Sequence, residues 1–294
     1  MKKKSIIVVL VLLLIFITVL ICSLNKSIDK KETVEEEKIQ IGMSFDSFVI
    51  ERWLRDRDVF VSTAKELGAE VNVQNANGDV EEQKKHIDYF IEKEVDAIVI
   101  VCVDSYGLRE QVEKASAAGI KIIAYDRLIT EADVDLYISF DNSMVGSMMG
   151  EAFVQNGVTD TNVLMLGGSP TDSNVPLVED AFKKVMEENN NTILDSFHAD
   201  NWEAELAAQY VYDNMDVVAQ ADAIMCGNDN LASQVVRALA EKRLAGDILV
   251  SGQDADLEAC QRIVEGTQLM TVYKPVEKLA QRAAECTVQL ILED

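Results

Sequence analysis

The sequence predicts an α/β chain: two doubly wound parallel-sheet lobes joined by a hinge, preceded by an N-terminal membrane anchor. Three observations carry this. From residue 39 onward, short apolar runs alternate with amphipathic stretches almost without interruption, the pattern of parallel βαβ units. At 294 residues the chain is long for a single core, and two lobes of ordinary domain size suit it better. After Asp126 the rhythm changes and a second series of strands begins.

Residues 1–25 are read as the anchor. Lys2, Lys3 and Lys4 precede an uncharged run over 5–25, and at about 1.5 Å per residue such a run spans a hydrocarbon core of about 30 Å. The lysines should stay inside, which places the bulk of the chain outside the cytoplasm. A cleaved signal peptide is the competing reading, and a lipoprotein signal with Cys22 as the lipidated residue is a third. Retention is favoured because the run is longer than a usual signal core, no Ala-x-Ala site follows, and Ile21 is bulky where a lipoprotein signal has a small residue. Residues 26–37 are charged and read as a linker.

Residues 38–127 are assigned to the first part of lobe 1, with strands near 39–45, 70–74, 97–103 and 121–125. Asp79, three residues before Glu82, marks a helix start. Residues 128–254 are assigned to lobe 2, with strands near 136–140, 162–166, 193–197, 223–226 and 248–251. Residues 255–294 are assigned to lobe 1 again, as a helix over 257–264, a strand over 270–273 and a helix over 276–292. Pro275 opens that last helix, where its missing N–H is harmless. Pro170 and Pro176 bracket the loop after the 162–166 strand and stiffen it.

Composition narrows the function. With 27 Lys and Arg against 51 Asp and Glu, the net charge of −24 offers no attraction to a phosphate backbone, so no nucleic acid partner is expected. Cys22, Cys102, Cys226, Cys260 and Cys286 lack CxxC spacing and read as small buried hydrophobes rather than a disulfide or zinc framework. No metal and no cofactor are expected. The two histidines are His86, in an exposed-looking helix, and His198, at a strand end; no HExxH, GxSxG or Walker lysine motif occurs. Paired carboxylates alone would carry an enzyme reading, and an acidic chain supplies those by chance. A binding protein, not an enzyme, is the expectation. Gly167 and Gly168 form at most a weak anion nest.

The informative stretch is 44–57, SFDSFVIERWLRDR, between an apolar strand and a helix. A helix built only to cover a sheet shows a clean apolar stripe, whereas this one opens with Arg52 and Trp53 among further charges. That mixture suits a polar ligand with a flat apolar face. A core role for Trp53 is the bland alternative. Ligands of open α/β sheets bind outside the carboxyl ends of the strands, and polar residues recur there. Asp126 and Arg127 follow KIIAY, Asp172 and Asn174 follow VLMLGG, Asn228 and Asp229 follow AIMCG, Asp254 follows LVSGQ, and Lys274 follows MTVY. Trp202 lies after TILDSFHA. Each has an ordinary reading as a cap or turn former, the stronger one for Asp229 and Asn142. Together they match an uncharged sugar, whose hydroxyls both donate and accept and whose C–H faces stack on indoles. Hydrogen bonds to charged groups contribute ~1.5–3 kcal/mol each, and a micromolar dissociation constant needs ~8 kcal/mol net.

RWLRDRDVFV, VNVQNANG, IKIIAYDRLI, DLYISFDN, GGSPTDSN, SGQDADL and GTQLMTVYKP resemble the type I periplasmic sugar-binding protein family, within it the members that take D-xylose. The likeness runs from residue 39 to the end. It implies two α/β lobes closing over one sugar, D-xylose or a related monosaccharide. Its contacts would be Arg52, Trp53, Asp126, Arg127, Asp172, Asn174, Trp202, Asn228, Asp254 and Lys274. It also implies a membrane partner, either an ABC permease for import or a sensor histidine kinase. Three departures qualify the match: Ser173 stands where the family has Asn, His198 stands where the family has a second tryptophan, and the family would cross once more to lobe 2 beyond Asp294.

Overall fold

In the computed structural model of the chain, residues 16–18 and 38–293 are described. The expected anchor and linker lie outside them, apart from a helical 16–18. No helix among the described residues is long and apolar enough to cross a membrane.

From residue 39 the chain forms two five-stranded parallel sheets. The first has β1 (Gln40–Phe45), β2 (Glu70–Asn75), β3 (Ala97–Ile100), β4 (Lys121–Tyr125) and β5 (Leu136–Ile138), in the order 2-1-3-4-5. Helices α1 (Arg52–Glu66), α2 (Val80–Glu92) and α3 (Arg109–Ala117) connect the first four strands. The second sheet has β6 (Asn162–Gly167), β7 (Thr192–His198), β8 (Ala223–Cys226), β9 (Leu249–Gln253) and β10 (Met270–Val272), in the order 10-9-8-6-7. Counted from β6 this is again 2-1-3-4-5, so both lobes repeat one topology. Helices α4 (Asn142–Gln155), α5 (Asn174–Glu188), α6 (Ala204–Asp213), α7 (Met215–Val218), α8 (Asp229–Glu241), α9 (Leu257–Glu265) and α10 (Val276–Leu292) complete the fold.

The apolar runs explain the central strands. AIVI of β3 and AIMC of β8 are buried throughout, as strands covered on both faces must be. Helix ends follow their caps: Asp79 accepts from the N–H groups of Glu81 and Glu82, and Asn228 accepts from Leu231. α9 ends at Gly266, which adopts φ +79°.

Strand membership corrects the sequence assignment at two places. The 136–140 segment, expected in the second series, pairs as β5 with β4 at the edge of the first sheet, with Ile123 opposite Leu136. The 270–273 segment, expected in lobe 1, pairs as β10 with β9 in the second sheet, with Met270 opposite Ser251. α9 likewise packs on α8 and β10, so of that final set only α10 returns, lying against α1 and β4. Alternation marks a strand but not its partner, and β4 reaches β5 through a loop rather than the helix that usually signals a parallel neighbour. The chain therefore crosses between lobes at 139–141 and again at 273–275. His86, read as exposed, is buried, its Nδ1 3.1 Å from Ser44 Oγ; burial lowers its pKa. Cys102 and Cys226 are buried as free thiols, while Cys260 is exposed.

Candidate functional site

In a 2-1-3-4-5 sheet the direction of winding reverses between strands 1 and 3, and the loops leaving their carboxyl ends splay apart to form a crevice. Here that point lies beside β1 in lobe 1 and beside β6 in lobe 2, and the two crevices share one cavity. All ten residues singled out from the sequence line it. None of the ten is more than 8% exposed, so the lobes are closed around the site.

Lobe 1 supplies the cationic side. The first turn of α1 sets Arg52 and Trp53 inward, and the stripe they begin continues through Asp56, Phe60 and Ala64, so it is polar at its cavity end. Arg52 Nη2 lies 2.6 Å from Asp126 Oδ2, and its guanidinium sits 4.2 Å from the Trp53 ring. Asp56 accepts from the Tyr125 hydroxyl and from Arg52 Nη2 at 3.4 Å. Arg127 Nη1 donates to Asp46 Oδ2 at 2.8 Å and to the carbonyl of Cys102 at 3.0 Å.

Lobe 2 answers with carboxylates and amides. Asp172 Oδ2 lies 2.6 Å from Arg127 Nε across the cleft, and Trp202 Nε1 donates to the same oxygen at 3.2 Å. Asn174 Nδ2 donates to Asp126 Oδ1 at 2.9 Å. Lys274, on the second crossing, pairs with Asp254 Oδ1 at 2.8 Å. Asn228 is both cap and wall: its oxygen holds α8 while its amide nitrogen has no hydrogen-bond partner among the described residues. Asp229 is structural, accepting from Thr271, Gln268 and the N–H of Asp256.

The charges compensate one another. Burial pushes the Asp126 carboxyl up, but Arg52 and then Lys274 outweigh it and hold it below the ordinary aspartate value. Burial works against the Arg52 charge, and Asp126, Asp56 and Asp254 more than restore it, so the guanidinium stays protonated. Asp46 and Asp56 go the other way, raised chiefly by burial.

Backbone strain and close approach are concentrated here. Asp126, Trp202 and Asp254 hold φ of +64°, +60° and +101°, a region that costs a non-glycine residue about 1–3 kcal/mol. Gly167 and Gly168 serve a different purpose from the anion nest considered for them. A Cβ on Gly168 would fall within the Trp202 indole, and one on Gly167 would collide with the Glu179 carboxylate. The pair is a seat for these side chains.

Sequence reasoning missed Glu179 and Gln253 and discounted Asn142, all of which line the cavity. Glu179 left a signal: it shares the buried face of α5 with Val175, Val178, Phe182 and Met186, and a carboxylate on an apolar stripe is unusual. His198 meets it with Nε2 2.9 Å from Oε1. Five buried polar atoms of cavity-lining residues have neither a hydrogen bond nor an ion pair among the described residues: Arg52 Nε, Trp53 Nε1, Asn174 Oδ1, Asn228 Nδ2 and Gln253 Oε1. Three are donors and two are acceptors, a set that hydroxyl groups can satisfy.

The family model of the periplasmic binding protein domain matches residues 41–293. The chain is 40% identical over 259 residues to the D-xylose-binding periplasmic protein of Escherichia coli strain K12, covering 86% of this chain and 78% of that one. It is 39% identical over 263 residues to the D-xylose-binding periplasmic protein of Haemophilus influenzae, covering 88% and 79%. Among solved structures, a carbohydrate transporter solute binding protein from Chloroflexus aurantiacus in complex with D-glucose superposes with a TM-score of 0.78 at 26% identity, covering 87% of this chain and 85% of that one.

Proposed function

The chain belongs to the periplasmic binding protein domain family, and from that premise we propose that it is an extracytoplasmic receptor that closes over one aldopentose pyranose, D-xylose first, and delivers it to an ABC permease. The observation that carries this reading is the closed cavity between the lobes, in which every cation is matched by a carboxylate while buried donors and acceptors stay available for hydroxyls. A ligand held there need carry no charge. Arg52, Trp53, Asp126 and Arg127 grip it from lobe 1, Asp172, Asn174, Trp202, Asn228 and Asp254 from lobe 2, and Lys274 from the crossing between them. The indoles of Trp53 and Trp202 take its C–H faces. The preference for D-xylose rests on the two relatives near 40% identity.

The uncharged run over 5–25 behind three lysines supports a membrane tether. The same feature favours a second reading, in which the tethered receptor reports sugar to a sensor histidine kinase.

Calorimetric titration with a panel of pentoses and hexoses tests the assignment. D-xylose is expected to bind with a dissociation constant at or below about 1 μM, equivalent to ~8 kcal/mol. Absence of heat with every sugar would overturn the receptor reading, and a clear preference for a hexose would overturn the ligand.

A further inference from the structure

The stiff loop after β6 turns alternate residues in opposite directions. Asp172 and Asn174 line the cavity, whereas Thr171 and Ser173 meet lobe 1 outside it. Thr171 Oγ1 donates to the carbonyl of Val103 at 3.0 Å, and the Thr171 carbonyl accepts from the N–H of Ser105 at 3.0 Å and from its hydroxyl at 2.9 Å. Ser173 Oγ accepts from the N–H of Leu128 at 2.9 Å. The lobe 1 partner is itself fixed, because Ser105 is buried and its carbonyl accepts from the N–H of Thr130 at 2.7 Å. Val103, Ser105, Thr171, Ser173 and Leu128 all lie outside the cavity lining, yet Thr171 and Ser173 alternate in sequence with Asp172 and Asn174.

We propose that Ser105 and Thr171 form a latch between the lobes that sets how long the closed protein retains its ligand, without influencing which ligand is chosen. The inference builds on the receptor reading above. Bonds that exist only when the lobes meet bias the open–closed equilibrium, and such a bias scales the apparent affinity of every ligand of the closed form by one common factor. Bonds that must break before opening act mainly on the dissociation rate. The two side-chain hydroxyls are positioning groups, since neither lines the cavity.

The test uses the full chain, with Ser105→Ala/Thr171→Val compared with the parent. Stopped-flow tryptophan fluorescence is read for D-xylose and for a second pentose that the parent binds. The dissociation rate should rise about ten-fold, the order expected for two lost hydrogen bonds, and by the same factor for both sugars, while association changes by less than about two-fold. Unchanged dissociation, or a penalty confined to one sugar, would overturn the proposal. Thr171→Ser keeps the hydroxyl and should retain the parental rate; a rate as fast as that of Thr171→Val would show that packing, not the hydrogen bond, was lost. X-ray scattering of the sugar-free proteins separates the two readings: the double variant should show a larger radius of gyration than the parent even if no sugar binds the parent. An identical radius would overturn the latch, whereas a parent that binds no sugar would overturn the receptor assignment.

Discussion

Arg52 Nη2 lies 2.6 Å from Asp126 Oδ2, joining the first turn of α1 to the left-handed residue that follows β4, with both side chains buried. The contact locks two cavity walls of lobe 1 together before any ligand arrives. Lobe 2 reaches the same carboxylate through Asn174.

Asp126→Asn should therefore weaken the protein as well as the site. Asparagine tolerates the left-handed backbone, so the change isolates the charge. Arg52 would keep only Asp56 at 3.4 Å and Asp254 at 3.8 Å as counter-ions. Breaking a buried pair from one side costs about 3 kcal/mol, and urea denaturation of the ligand-free variant should register it. An unchanged midpoint would mean that Asp56 and Asp254 suffice.

One source of pH dependence lies at the edge of the cleft. Asp256 is pushed up to about 7 by burial and then by the charges of Asp254, Asp229 and Glu51, with Arg55 opposing. Burial raises Asp229 to about 6. Both carboxyls bind a proton more tightly in the folded chain than in the unfolded one, so their contribution to stability declines as pH rises from about 4 towards 7. Asp126, depressed instead, contributes above about pH 4 and loses its contribution below that. Asp256→Asn removes the first effect: its melting temperature should fall less between pH 5.5 and 7.5 than that of the parent. Equal slopes would place the proton elsewhere.

Gly168→Ala tests the seat of Trp202. The added methyl has no room beside the indole, and overpacking of this kind costs about 1–3 kcal/mol. The ring must shift, and its hydrogen bond to Asp172 with it. Sugar affinity should fall more than about ten-fold, together with a changed tryptophan emission spectrum; parental affinity would show that Trp202 does not need this position.

The sequence is legible where a residue's role is local. Polar groups just past apolar strands lie at sheet ends because a parallel strand exposes its carboxyl end to the crevice, and Arg52 beside Trp53 stood out because a covering helix has no use for either charge or indole at its start. Roles that depend on a distant partner left no trace. Nothing in LYI assigns β5 to the first sheet, and nothing in MTV assigns β10 to the second, because the deciding hydrogen bonds come from β4 and β9. Gly168 looked like a possible anion contact because the indole that fills its space is contributed 34 positions later. Glu179 is the exception: as a carboxylate on the apolar stripe of α5 it was visible in the sequence.

Charge pairing also sets what the cavity should refuse. Arg127, Arg52 and Lys274 each have a carboxylate within 2.6 to 2.8 Å, and Asp46 and Asp56 bring further acidic groups to the first two. An incoming anion would find no uncommitted cation and would lose its hydration to a site already rich in carboxylates. D-glucuronate makes a clean probe, being a xylopyranose-like ring that carries a carboxylate on C5, with D-glucose as its neutral counterpart bearing a hydroxymethyl group there. Against D-xylose, D-glucose measures the steric penalty alone, and D-glucuronate adds the charge. Calorimetry should show D-glucuronate binding at least about 100-fold more weakly than D-glucose, a difference of ~2.7 kcal/mol. Comparable affinities for the two would mean that Arg52, Arg127 or Lys274 exchanges its carboxylate partner for the ligand, and that pairing within the protein does not govern selection.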